Sequence, residues 1–192
     1  MEKIGVVFGG SRGIGKAVAR LMAQKGYRLA LVGRDLEAAR AAARDIGGDH
    51  LALRCDVAKE QDVQNAFEEM EKNLGRVNFL VNAAGINRDT LLLRTKTEDM
   101  VSQLHTNLLG SMLTCKAALK NMIQQQGGSI VNIGFIHTDM TKGLKEEQLK
   151  KNIPLGRFGE PSEVAHAVVF LLESPYITGH VLVVDGGLQL VL

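Results

Sequence analysis

The stretch Val6–Gly15, Val-Val-Phe-Gly-Gly-Ser-Arg-Gly-Ile-Gly, constrains the fold of this chain more than any other. It begins inside an apolar run, Ile4–Phe8, of the kind that forms a parallel strand buried on both faces. Glycines follow at once at Gly9, Gly13 and Gly15. Then Ile14, Val18, Leu21 and Met22 recur at i, i+4, i+7 and i+8, the period of one helix face. A strand, a glycine turn and a helix in that order set a helix N-terminus against whatever the turn encloses. Free N–H groups and the helix dipole there favour a pyrophosphate, and glycines let the backbone approach it. Gly9, Ser11, Arg12, Gly13, Ile14 and Gly15 are therefore candidate dinucleotide contacts. The same spacing also serves a plain glycine-rich turn that binds nothing.

Beyond the turn the chain alternates strand and helix patterns. Gly26 stops the first helix, Arg28–Val32 is a second strand, Leu36–Ile46 is an Ala-rich helix stopped by Gly47-Gly48, and His50–Arg54 is a third strand. Val63, Ala66, Phe67, Met70 and Leu74 mark the next helix face, and Val77–Val81 is a fourth strand. Thr97–Gln125 reads as one long helix with Val101, Leu104, Leu108, Leu109 and Met112 turned inward, followed by strand five at Ser129–Ile133. Pro161 opens a later helix whose inner face is Val164, Val168, Val169 and Leu172, and Val181–Val184 reads as a last strand. The pattern predicts an α/β fold, a Rossmann-type doubly wound parallel sheet, in a single domain over residues 1–192.

In such a sheet, ligands sit at the carboxyl ends of the strands. Strand two ends at Gly33-Arg34, where an acid would take a ribose 2′-hydroxyl and an arginine suits a 2′-phosphate. Arg34 and Arg12 together favour NADP(H), although Asp35, one place on, could still reach a ribose. Arg34 also reads as a solvated surface arginine. Asp56, followed by Val57, could accept from an adenine amino group or cap the next helix. Asn82-Ala83-Ala84-Gly85 closes strand four with small residues that leave room for a ligand. Asn107 is polar among apolar neighbours and could simply bond its own helix backbone.

Several function classes are disfavoured. A net charge of +2, with aromatics at 4% and no Trp, gives no basic or base-stacking surface for nucleic acid. No apolar run approaches the ~20 residues that span a bilayer, and no signal peptide is expected before the first strand. The five histidines have no metal-ligand spacing, and Cys55 and Cys115 form no Cys-x-x-Cys pair. Residues 12–44 are Arg-rich with acids only at Asp35 and Glu37, a composition shared by uncleaved mitochondrial import signals and by solvated helix faces.

The Gly9–Gly15 turn, Asp56-Val57, Asn82-Ala83-Ala84-Gly85, Asn107 in a long helix, and Ile177-Thr178-Gly179-His180 with Val184-Asp185-Gly186-Gly187 together resemble the short-chain dehydrogenase/reductase family over almost the whole chain. The resemblance is most specific to its NADPH-dependent 3-oxoacyl-acyl-carrier-protein and quinone reductases. It implies NADP(H) as cofactor, and a 3-oxoacyl group on an acyl-carrier protein, or a quinone, as substrate. It also implies a part in mitochondrial fatty acid synthesis and a location in the mitochondrial matrix, with the cytoplasm as alternative. By the same resemblance, Asn107 sits at a helix kink where its main chain holds a water of the proton relay, and Thr138 reaches the nicotinamide amide and the pyrophosphate.

The family pattern then breaks off. Its strand five continues into Gly-Ser, the Ser binding the substrate carbonyl; here Gly134 is followed by Phe135. Its next helix carries Tyr-x-x-x-Lys, the Lys lowering the Tyr pKa and the Tyr donating the proton. The two tyrosines here, Tyr27 and Tyr176, have Leu31 and His180 four residues on. Phe135–Thr141 resembles the text that follows the family's sixth strand. The chain thus reads as a member with an internal deletion at about 134/135, on the order of 40 residues from the size of a helix plus a strand. Family helix 5 and strand 6 are absent, and Asn107 is the one catalytic-tetrad residue that remains. The expected consequences are impaired catalysis, an exposed edge on strand five, and a possible hetero-oligomer with another short-chain dehydrogenase. The charged run Lys142–Lys151 reads first as a solvated helix face and second as a contact for an acidic carrier protein.

Overall fold

The structure, a computed structural model, describes residues 3–88, 91–133 and 153–187. Five short strands, β1 (Ile4–Phe8), β2 (Arg28–Gly33), β3 (Leu51–Arg54), β4 (Phe79–Asn82) and β5 (Ser129–Asn132), form one parallel sheet in the order β3-β2-β1-β4-β5. β1 is central: Val6 pairs with Ala30 on one side and Leu80 on the other, and β1 is buried throughout. The helices are α1 (Gly13–Gln24), α2 (Leu36–Ile46), α3 (Glu60–Asn73), α4 (Thr97–Leu104), α5 (Gly110–Gln124) and α6 (Pro161–Leu172).

Side chains alternate across the sheet, so each face has its own core. Val7, Leu29, Leu31, Val81 and Val131 pack with α1, α2 and α6. Val6, Phe8, Ala30, Val32 and Leu80 pack with α3 and α5. This is the doubly wound α/β arrangement that the sequence predicts. Local chemistry sets the bounds. Asp35 caps α2 by accepting from the Ala38 N–H at 3.1 Å, and Gly26 and Gly47 leave their helices at positive φ. Pro161 takes the first position of α6, where its missing N–H costs nothing, and the Glu163 carboxylate accepts from the Glu160 N–H at 2.7 Å.

α6 ties the later part of the chain back to the beginning. Val164, Ala165, Val168, Val169 and Leu172 are buried in the core that holds α1. At its end, Glu173 receives Lys25 Nζ at 2.8 Å, the Tyr27 hydroxyl at 3.2 Å and Lys3 Nζ at 3.6 Å. The Lys25 hydrogen bond, the largest influence, holds the Glu173 carboxyl below its ordinary range.

Two expectations are corrected. The Thr97–Gln125 helix is interrupted by a π-helical turn at His105–Leu109, and its large apolar residues do not point inward. Val101, Leu104, Leu108, Leu109 and Met112 are exposed; the buried face is Thr106, Gly110, Thr114, Ala118 and Met122. The reason is close approach. A Cβ on Gly110 would lie 2.7 Å from Val57 Cγ2 in the segment between β3 and α3, so at that point of the face only glycine fits. Second, Val181–Val184 is not a strand of the sheet. It is exposed and separated from the outer edge of β5 by a cleft of about 1120 Å³. The run Lys142–Lys151 lies outside the described residues.

Because Glu173 titrates lower in the folded chain than in the unfolded one, its contribution is complete above the unfolded carboxylate pKa of about 4.3 and is lost as pH falls through the lower folded value. Glu173→Gln is expected to cost about 0.2–1 kcal/mol at neutral pH, the worth of an exposed ion pair, and to flatten the acid limb of a urea-denaturation series. An unchanged acid limb would show that Glu173 does not secure α6.

Candidate dinucleotide cleft

The strand order reverses between β1 and β4, and the loops leaving their carboxyl ends diverge there to open a cleft of about 340 Å³. One wall is the turn after β1. Gly9 has φ +81°, and a Cβ on it would lie 2.6 Å from the Ala83 carbonyl group at the end of β4. A Cβ on Gly15 would lie 2.2 Å from the Gly9 carbonyl oxygen. Glycine at both places lets the turn, the first turn of α1 and the end of β4 pack backbone to backbone. The Gly9 N–H donates to Val32 O at 2.8 Å and the Ala83 N–H to Phe8 O at 2.9 Å, fixing the two loops to the sheet.

The N-terminus of α1 opens into this cleft. Its cap residue, Arg12, is extended and makes no side-chain capping bond, and the first turn has no acidic residue. The first-turn N–H groups thus keep their positive field for an anion. Arg12 and Arg34 both line the cleft and are exposed; among the described residues neither takes part in an ion pair. Asp35, which the sequence left as a competing ribose ligand, is occupied in capping α2. Together these features present an uncompensated cationic corner next to an uncapped helix start.

The structure brings together around one cavity Gly9, Ser11, Arg12, Gly13, Ile14, Gly15, Arg34, Val57, Ala83, Ala84, Gly85 and Asn107. Asp56 is placed differently. Its Oδ1 accepts from the Ala58 N–H at 3.2 Å, while Lys59 is the cap residue of α3, so Asp56 does not cap that helix. It lines an adjoining groove that it shares with Arg34, Ser102 and His105. Asn82 is buried outside the cleft lining. Its Oδ1 accepts from Thr114 Oγ1 at 2.8 Å, and its Nδ2 reaches Asn132 Oδ1 at 2.9 Å and Cys115 Sγ at 3.4 Å. This polar tie between β4, α5 and β5 was not anticipated. The clue available was that Asn82 and Asn132 end neighbouring strands opposite the small, polar helix face at Thr106, Gly110 and Thr114. Thr138 lies outside the described residues.

Asn107 sits in the π-helical turn, the helix irregularity that the resemblance implies. Its Oδ1 accepts from the Ile86 N–H and its Nδ2 donates to Ile86 O, both at 2.9 Å. The side chain therefore clamps the segment after Gly85 from both sides, and its own carbonyl accepts from Ser111 Oγ at 3.0 Å. Cys55, Thr106, Ser111 and Ile133 also line the cavity without having been singled out. Burial, aided by Asp62 and Asp56, pushes the Cys55 thiol up to about 12, so it supplies no thiolate nucleophile.

Neither tyrosine lines the cleft. Tyr27 immediately precedes β2, at the amino end of the sheet, buried against Phe79 and bonded to Glu173; burial first, then Glu173, pushes its hydroxyl up to about 12. Tyr176 follows α6 and is fully exposed.

A family model described as "short chain dehydrogenase" matches residues 3–146, and one described as "Enoyl-(Acyl carrier protein) reductase" matches residues 133–189. Among curated relatives, a 3-oxoacyl-(acyl-carrier-protein) reductase of Homo sapiens is 67% identical, the alignment covering 100% of each chain. A carbonyl reductase family member 4 of Xenopus laevis is 54% identical over 99% of each chain, and a 3-oxoacyl-(acyl-carrier-protein) reductase FabG of Aquifex aeolicus is 34% identical over 97% of each. The human alignment runs over 237 positions and this chain supplies 192 residues, so 45 positions face a gap in it.

Gly15→Ala is expected to destabilise the chain by about 1–3 kcal/mol, the range for overpacking a tight contact, read as a lower urea midpoint. Asn107→Leu, which leaves the Ile86 backbone groups without their clamp, should speed amide exchange at Ile86 while leaving β1 protected. Wild-type stability in Gly15→Ala would mean that the turn is not packed as described.

Proposed function

We propose that this chain, which belongs to the short-chain dehydrogenase family, binds NADPH in the cleft between β1 and β4 and has lost most of the family's means of reducing a ketone. Members of this family use nicotinamide cofactors. The choice of NADPH over NADH rests on Arg12 and Arg34, two cations without a described partner beside the uncapped start of α1. The glycine contacts at Gly9 and Gly15 support a dinucleotide site by packing the turn and the start of α1 against the end of β4.

When bound, the reduced nicotinamide supplies a hydride. The chain's own residues would hold the pyrophosphate at the first turn of α1, neutralise a 2′-phosphate with Arg12 and Arg34, and keep the Gly85–Asn87 segment in place through Asn107. What they lack, among the described residues, is a tyrosine proton donor at the cleft. The sequence has no Tyr-x-x-x-Lys, and both tyrosines stand elsewhere. General acid catalysis contributes about 10²–10⁴-fold and a carbonyl-polarising donor about 10²–10³-fold. These factors are not additive, but each is far above what a weak reductase can lose. A 3-oxoacyl thioester, the substrate class in the relatives' names, would therefore be reduced at background. A quinone is an easier acceptor, because its product anion is a delocalised phenolate that needs less enzymic protonation. We place the missing chain at 134/135, inside the stretch 133–146 that both family matches share.

A thermal-shift titration tests the cofactor reading. NADPH at a hundredfold over its Kd should stabilise the chain by about 2.7 kcal/mol. Arg12→Ala combined with Arg34→Ala should weaken NADPH about tenfold, one exposed charge-assisted contact's worth, and leave NADH unchanged. Equal loss for both cofactors would remove the assignment of a 2′-phosphate to these arginines.

A second reading is favoured by the exposed stripe on α4 and α5. Leu104, Leu108, Met112, Leu119 and Ile123 are between 44% and 72% exposed. A continuous apolar face of this kind marks a protein contact. We propose that it seats an intact short-chain dehydrogenase, with this chain as a non-catalytic subunit. Co-expression with the human relative should yield a complex that Leu108→Glu with Met112→Glu abolishes; two separate species from the unmutated pair would exclude this reading.

A further inference from the structure

Among the described residues, the cleft on the far side of β5 is lined as a strand position that no strand fills. β5 pairs with β4 through its odd-numbered residues: the Ser129 N–H donates to Asn78 O and the Ile133 N–H to Asn82 O, both at 2.9 Å. Backbone groups alternate along a strand, so the N–H and C=O groups of Ile130 and Asn132 point the other way, into the cleft. This edge carries no Pro, Lys or bulge of the kind that protects exposed edges.

Each of the two helices beside the cleft contributes apolar side chains to it. Val131 and Ile133 belong to the core under α6, and Ile130 packs with the core under α5. Val168 and Leu171 of α6 line one side, and Met122 and Ile123 of α5 the other. Opposite β5 the cleft is lined by Val181, Leu182, Val183 and Val184, an apolar run outside any ladder. Asp185, at the end of that run, is the one formally charged residue in the lining. An occupant must therefore be extended, supply backbone groups to one edge, and bury uncharged side chains on both faces. The relatives bear on its nature. The 45 positions that face a gap fall, by the placement proposed above, immediately after β5, where the full-length human chain has polypeptide and this chain has none.

We propose that the cleft between β5 and residues 177–185 is a strand-acceptor groove, which takes one extended apolar peptide segment of another polypeptide as a sixth strand of the sheet. Main-chain hydrogen bonds to Ile130 and Asn132 would give the affinity, and the α5 and α6 walls would select apolar side chains, as in other strand-addition complexes.

The test uses the full chain and, as probes, overlapping synthetic peptides of about ten residues, the length of a strand with its flanks, that tile the 45 positions of the human relative facing the gap. Amide hydrogen exchange is followed residue by residue, with Val6 and Val7 of β1 as the internal standard of a folded sheet. One peptide is expected to bind saturably and slow exchange at Ile130 and Asn132 at least about tenfold, leaving β1 unchanged. Its analogue N-methylated at alternate residues keeps the side chains but lacks the N–H donors, and should not bind. The proposal is overturned if no peptide slows these two amides, if the methylated analogue binds equally well, or if Ile130 and Asn132 are already protected in the free chain, since the chain would then cover its own edge.

Discussion

The backbone contact between the turn after β1 and the end of β4 is the constraint on which the rest of this molecule depends. With Gly9 at φ +81° against Ala83, and Gly15 against Gly9 itself, no side chain fits between these three segments. That contact lets α1 start directly over the sheet's switch point, so its open N–H groups face a cavity rather than a neighbouring strand. The same contact fixes where Arg12 can stand, and Arg34 arrives from the adjacent β2 because β2 pairs with β1 in register. Charge, cavity and helix dipole thus follow from two glycines and one strand pairing.

The two ends of the sheet are unequally supported. Around β1 and β4 the strands are buried on both faces, and Asn82 ties β4 to α5 and β5 through Thr114 and Asn132. Beyond β5 no strand follows among the described residues. The chain returns through α6, which is anchored by its apolar face on α1 and by Glu173 at its end. Ile133 lines both the dinucleotide cleft and the cleft beyond β5, so the well-supported site and the open edge share a wall. Most of the cleft lining comes from the first half of the chain, joined by Thr106, Asn107, Ser111 and Ile133 from the second.

Much of this was legible in the sequence where structure is set locally. The bounds of β1 and α2, and the inner face of α6, follow from apolar period, Asp35, Gly47 and Pro161, each of which acts within a turn or two. The residues of the dinucleotide cleft were legible because glycine spacing and strand ends are local signals. Other features depend on distant partners. The α4–α5 face was misread because apolar period assumes that the largest side chains go inward, whereas Gly110 lies so close to Val57 that only glycine fits there. Asp56 bonds Ala58 rather than capping α3, a choice between two neighbouring N–H groups that composition does not make. Val181–Val184 has strand propensity, but propensity yields a strand only where a neighbour offers a ladder.

The central proposal is that this chain keeps the cofactor half of a reductase without the proton-donating half. The most direct measurement is NADPH binding, by cofactor fluorescence, and acetoacetyl-thioester reduction, by NADPH consumption, on one preparation beside the human relative. Saturable NADPH binding with thioester turnover at background is the predicted result. Turnover near that of the human relative would contradict it.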